Sequence, residues 1–130
     1  MRGGTMAATR PGAIVTHPLD DLVHALRQFA QERDWEQFHS PKNLAASVSI
    51  EAAELLEHFQ WLTEEQSRRL PDARKQDVAL EMADVLLYLL QLSDKLGIDL
   101  LEAAKAKLKL NAARFPVEQA RRMARQVSDS

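Results

Sequence analysis

The sequence contains no cysteine, which excludes disulfides, thiol nucleophiles and thiolate zinc sites. Glycine is nearly as scarce: there are four, of which Gly3, Gly4 and Gly12 lie in the first dozen residues and only Gly97 in the body. A glycine-rich loop that wraps phosphates with backbone N–H groups therefore has nowhere to form. Neither sign of charge dominates, since 17 Lys and Arg stand against 19 Asp and Glu for a net charge of -2. That balance gives no general pull towards a nucleic-acid polymer or an anionic membrane. No apolar run is long enough for a signal peptide or an anchor, so the expected location is cytoplasmic.

What is present is a chain of 130 residues, 45% hydrophobic and 28% charged, which is one ordinary domain with a single core. Residues 1–16 read as a loose tail, 17–116 as the domain, and 117–130 as a basic C-terminal helix and tail. Pro18, Pro41, Pro71, Gly97 and Pro116 punctuate the body, and between them the apolar spacing is helical throughout. A first helix follows from Leu19, Leu22, Val23, Leu26, Phe29 and Ala30, with Asp20 and Asp21 in its first turn. Trp35 to Pro41 breaks the period and reads as a connection. A second helix is expected from Asn43 to about Leu62, and Thr63 with Gln66 forms a capping box for a short third. Asp72 opens a long helix that Gly97 closes, and Asp99 with Glu102 makes a second capping box for a helix running towards Ala112. A last helix is expected from Val117 to about Gln126. The fold class is all-α, a four-helix-bundle-like arrangement.

The second and fourth of these segments put acids where a core belongs. At 100° per residue, Leu44, Val48, Leu55, Phe59 and Leu62 share one stripe, and Glu51 falls inside it with Glu54 on its edge beside Ser47, His58 and Trp61. On the long helix, Val78, Met82, Val85, Leu89, Leu92 and Leu96 make a stripe flanked by a polar ridge of Glu81, Asp84, Tyr88 and Lys95. One Glu-x-x-Glu pair is usually a solvated face, but two such pairs embedded in apolar helices are not. Buried carboxylates need a compensating positive charge. All four groups are oxygen ligands, so a hard divalent cation, Mg²⁺ or Mn²⁺, suits them. Two alternatives stay open on these residues alone. One is ion pairing with Lys42, Lys75 or Lys95; the other is a di-iron centre, although the Glu81/Asp84 helix has no histidine to serve it.

The run from Arg33 to Trp61, with Arg-Asp-Trp-Glu-Gln-Phe-His-Ser-Pro-Lys-Asn-Leu followed by Glu-Ala-Ala-Glu-Leu-Leu-Glu-His-Phe-Gln-Trp, resembles the MazG-like all-α nucleoside triphosphate pyrophosphohydrolases. It is most similar to their dCTP pyrophosphatase branch. Glu81-Met-Ala-Asp84-Val-Leu-Leu-Tyr88 and the segment from Lys107 to Pro116 extend the likeness over about Leu19 to Pro116. The resemblance implies hydrolysis of a deoxynucleoside triphosphate to the monophosphate and pyrophosphate, by metal-activated water attacking the α-phosphorus. It also implies Mg²⁺ held by Glu51, Glu54, Glu81 and Asp84; four carboxylates exceed what one Mg²⁺ usually takes from protein, so more than one ion is expected in the substrate complex. Two departures stand out. Ile50 occupies a position where many relatives carry a further Glu, and Phe115 stands where relatives carry Tyr.

Among the acids, Glu54 at the stripe edge is the expected proton acceptor. Lys107, Asn111 and Arg114 share one face at four- and three-residue spacing, and with Lys95 they are candidates for the triphosphate oxygens; otherwise they form a solvated basic face like Lys105 and Lys109. Trp35 and Trp61 are candidates for stacking on the base, His39 and Asn43 for hydrogen bonds to base or sugar, and Tyr88 for a metal ligand or the substrate. Asn43 and His39 serve equally well as caps of the second helix, and His24 and His58 read as structural. The nearly all-round apolar helices and the resemblance both point to a homodimer or a homotetramer built as a dimer of dimers. The expected role is house-cleaning of the nucleotide pool, and the rival is a non-catalytic interaction module or a nucleotide-binding regulator.

Overall fold

The computed structural model describes residues 17–130, so the tail expected up to Thr16 lies outside the described residues. Six helices follow one another: α1 (Pro18–Glu32), α2 (Pro41–Glu57), α3 (Glu64–Arg68), α4 (Asp72–Lys95), α5 (Leu100–Arg114) and α6 (Val117–Ser128), with a 3₁₀ turn at Glu36–Phe38 between the first two. No strand occurs among the described residues, as the all-α expectation requires.

Local chemistry sets most of the boundaries. His17 caps α1 by accepting the Leu19 N–H at its Nδ1, with Pro18 preset for the first turn. Ser40 does the same for α2 through the Asn43 N–H, so α2 begins at Pro41, two residues before the expected Asn43. At Thr63 both halves of the capping box form: its hydroxyl accepts from Gln66 N–H and the Gln66 side chain accepts from Thr63 N–H. Asp99 accepts from Glu102 N–H, but the Glu102 carboxylate turns to Lys105 instead of returning to the cap. Substituting Thr63→Ala is expected to cost about 1 kcal/mol of stability, read as a lower thermal midpoint with unchanged helical content at low temperature.

Two helix ends carry the same closing motif. After α4, Gly97 N–H bonds to Asp94 O and Ile98 N–H to Ser93 O, with Gly97 at φ 65°. After α1, Asp34 N–H bonds to Gln31 O and Trp35 N–H to Ala30 O, and here the left-handed position is held by Asp34 at φ 58°. Asp is among the few side chains that tolerate that conformation, so the turn holds and fixes where Trp35 leaves the helix.

Helix α2 ends at Glu57, five residues short of the expected Leu62, and residues 58–62 continue as turns. Arg74 on α4 donates to the His58 carbonyl at 3.3 Å, which satisfies one of the carbonyls left open at that end. Helix α5 runs to Arg114 and α6 to Ser128, each two residues beyond its expected end.

The principal packing is α2 against α4, with α1 laid across α4 as well. Leu44 and Leu90 are 1% and 2% exposed, and with Ala30 and Val78 they are the buried apolar residues of the described chain. Arg27 on α1 pairs through two guanidinium nitrogens with Asp94 on α4, and this pair holds the Asp94 carboxyl below its ordinary range. Neither α5 nor α6 buries a residue, so the expected four-helix packing is not closed within one chain. Met82 and Leu86 on α4 and Leu96 just beyond it are exposed, as are Leu108 and Leu110 on α5.

Candidate metal centre and aromatic cleft

The α2/α4 contact brings the two acidic pairs together. Glu51, Glu81 and Asp84 each present a carboxylate oxygen, and these three oxygens lie within 4.8 Å of one another. Glu54 lies one turn along α2 at an exposed position, outside this tightest group, yet close enough for its carboxylate to act on Glu51. Burial follows from the helix phases. Glu51 sits in the apolar stripe of α2 and Glu81 in the face of α4 turned to it, so both are half-buried while Asp84 and Glu54 stay exposed.

The electrostatics are those of an uncompensated cluster. Glu51 is pushed up to about 8, first by a hydrogen bond it makes to Glu81 when protonated, then by burial, then by hydrogen bonding with and the charge of Glu54. As carboxylate oxygens, Glu51 Oε2 and Glu81 Oε1 are buried and have no donor. A buried polar atom left unsatisfied costs about 1–3 kcal/mol, more when charged. None of the ion pairs among the described residues involves any of the four acids, which disposes of pairing with Lys42, Lys75 or Lys95 within the chain. No histidine joins the cluster, so the di-iron alternative also lacks its ligands. Orphaned oxygens, an all-oxygen donor set and surplus negative charge together fit a hard divalent cation.

Asp84 also lines a cleft of about 380 Å³ whose other walls include Phe29, Trp35, His39, Leu87, Tyr88 and Gln91. Three residues expected at the site from sequence, Trp35, His39 and Tyr88, thus line one cleft with Asp84. Trp35 is held edge-on to Phe29, with ring centroids 5.6 Å apart, and the Arg33 guanidinium lies 3.6 Å from the Phe29 ring centre on that ring's face.

The remaining candidates stand elsewhere in the chain. Asn43 donates its side-chain amide to Phe38 O, fixing the turn before α2. Trp61 is 87% exposed beyond the end of α2. Lys95 lines a small neighbouring pocket with Arg27, Glu36 and Asp94. Lys107, Asn111 and Arg114 lie on exposed positions of α5, and none of them lines the cleft or joins the cluster. Sequence reasoning missed Phe29 as a cleft wall and missed Gln91 altogether, although Gln91 lies seven residues beyond Asp84 and three beyond Tyr88, on the same ridge.

An all-α scaffold that gathers oxygen ligands at the mouth of an aromatic cleft defines a protein with a candidate divalent-cation centre beside a ligand site. A profile of the MazG-like family matches residues 46–129. The chain is 37% identical over 131 residues to dCTP pyrophosphatase 1 of Bos taurus, covering 98% of this chain and 78% of that protein. It is 38% identical over 126 residues to dCTP pyrophosphatase 1 of Mus musculus, covering 95% and 74%. A pyrophosphatase from Archaeoglobus fulgidus, solved by crystallography, superimposes with a TM-score of 0.74 at 43% identity, over 80% of this chain and 97% of that one. The chain belongs to the MazG-like family. It is an enzyme of the nucleotide pyrophosphohydrolase class.

Proposed function

We propose that the enzyme hydrolyses dCTP, or a dCTP substituted on the base, to the monophosphate and pyrophosphate with Mg²⁺ held by Glu51, Glu54, Glu81 and Asp84. The observation that carries this reading is the double position of Asp84, which belongs to the carboxylate cluster and to the aromatic cleft at once. A triphosphate whose phosphates meet the acids then has its sugar and base beside Trp35 and Tyr88. The relatives named dCTP pyrophosphatase 1 support the choice of nucleotide.

A divalent cation bound there supplies charge neutralisation at the phosphate oxygens and lowers the pKa of a coordinated water. The protein's own groups do the rest. Glu54, whose exposure and position outside the tightest group of acids support this role, would accept the proton of the attacking water. The oxygen of that water bonds to the α-phosphorus, the bond from that phosphorus to the bridging oxygen breaks, and pyrophosphate leaves with the bonding pair. Trp35, braced by Phe29, supplies a stacking face, and His39 and Tyr88 offer hydrogen bonds within the same cleft.

Exposed apolar side chains on α4 and α5, and an α5 that buries nothing, support association into a homodimer or a dimer of dimers. In such an assembly Lys107, Asn111 and Arg114 would reach the phosphates of a neighbouring copy's site, and Trp61 and Lys95 would complete its rim. The role is removal of excess or modified deoxynucleotides, in the cytoplasm.

Pyrophosphate release from a panel of deoxynucleoside triphosphates, with Mg²⁺ and with excess chelator, tests the reading. Turnover is expected to be greatest on dCTP and its 5-substituted forms and to vanish with chelator. An inert protein, with every triphosphate and with Mg²⁺ or Mn²⁺, would sink the proposal.

A further inference from the structure

Gln91 lines the cleft that holds Asp84, Trp35 and Tyr88. It is seven residues beyond Asp84 on α4, so two helical turns carry it about 10 Å along the axis while keeping it on the same face. The cleft thus has a carboxylate at one end of its α4 wall and an amide at the other. That separation suits a nucleotide lying along the helix, with its phosphates at the acids and the edge of its base at Gln91.

The amide is uncommitted, unlike its polar neighbours. Ser93 donates its hydroxyl to Leu90 O, and Asp94 is taken by Arg27. Gln91 Oε1, in contrast, is buried and accepts nothing. Aromatic stacking on Trp35 gives affinity for any base, so a choice between bases needs a polar group at the base edge. A buried acceptor without a donor is such a group. It favours a ligand that brings an N–H and disfavours one that brings a second carbonyl.

We propose that Gln91 is a specificity-determining residue that reads the base, its side-chain carbonyl accepting a hydrogen bond from an exocyclic amine of the cytosine type. The amide nitrogen alongside then faces the ring nitrogen next to that amine, so donor and acceptor both match, as a Gln amide matches adenine. Uracil reverses both groups and is discriminated against when the amide keeps the orientation of the structure, with Oε1 buried, because turning it over would bury the N–H₂ in its place. The proposal rests on the triphosphate-hydrolase reading above and adds the group that selects the substrate.

The test is kcat/KM for dCTP and dUTP, which differ only at this edge, in the wild type, Gln91→Leu and Gln91→Glu. The wild type is expected to prefer dCTP. Gln91→Leu is expected to raise KM for dCTP by about tenfold to a hundredfold with a smaller change in kcat, and to erase the preference. Gln91→Glu puts an acceptor opposite both positions, so each base makes one hydrogen bond and meets one repulsion, and its dCTP to dUTP ratio is expected to fall towards one. An unchanged ratio in Gln91→Leu would overturn the proposal while leaving the hydrolase reading intact, as would a wild type that turns over both nucleotides equally. Should Gln91→Leu fail to fold, the Glu variant decides, and a ratio equal to that of the wild type overturns the proposal. Failure of every triphosphate to turn over would overturn the hydrolase reading, and this one with it.

Discussion

Replacing Glu51 by Gln is expected to reduce pyrophosphate release by about a thousandfold or more, which corresponds to roughly 4 kcal/mol of transition-state stabilisation. The same substitution is expected to leave the metal-free protein at least as stable as the wild type. The two effects have one origin. Glu51 is the acid that burial and its neighbours Glu81 and Glu54 make hardest to ionise, so its charge is unfavourable until a cation offsets it. Gln keeps the shape, removes the charge and offers an N–H₂ donor to the orphaned Glu81 Oε1. Folding is relieved and the metal ligand is lost. Thermal unfolding in chelator and single-turnover assays in Mg²⁺ measure the two halves separately. Undiminished turnover would remove Glu51 from the metal site.

The second expectation concerns pH. Metal-free protein is expected to lose thermal stability as pH rises from about 5 to about 8, and divalent cation to reverse the loss increasingly across the same window. Glu51 has an ordinary value of 4.5 and is held up to about 8 in the folded chain. Below that window it is protonated in both folded and unfolded states and contributes nothing. Within the window the folded state keeps a proton that the unfolded state has released, so each step up in pH favours unfolding. Above it both states are ionised and the penalty is complete. Cation binding at neutral pH must therefore expel the proton, which calorimetry in buffers of different ionisation enthalpy detects. Asp94 acts with the opposite sign at lower pH, since Arg27 depresses it and its contribution is lost only as acid protonates it. A metal-free thermal midpoint that stays flat between pH 5 and 8.5 would refute the expectation.

How far the fold was legible depended on whether its causes were local. The capping box at Thr63 and the glycine closing α4 are set within five residues, and the structure places them where the sequence does. The end of α2 was not legible, because the apolar spacing of Leu55, Phe59 and Leu62 continues past Glu57 without a breaking residue. A partner sixteen residues away, Arg74, caps that end, and Phe59 and Leu62 stay half-buried in the turns that follow. The acidic cluster was legible since Glu51 lies within the apolar stripe of α2 and Glu81 and Asp84 lie on a ridge flanked by apolar residues of α4, so packing the two helices brings these acids together. Gln91 was overlooked for the opposite reason: an amide at a helix face carries no signal until its surroundings are known. The partners of Lys107, Asn111 and Arg114 depend on how α5 packs, and no short-range pattern encodes that.

Glu81, Asp84, Tyr88 and Gln91 all stand on α4, an unbroken helix of 24 residues. The distance between the proposed metal ligands and the proposed base-reading amide is therefore set by helical rise, not by a loop that lengthens or shortens. Inserting one residue between Asp84 and Tyr88 would swing Tyr88 and Gln91 by about 100° while leaving Glu81 and Asp84 in place. Such a scaffold acquires a new substrate by exchanging side chains along one ridge, and a change of register uncouples the selection of a nucleotide from its cleavage.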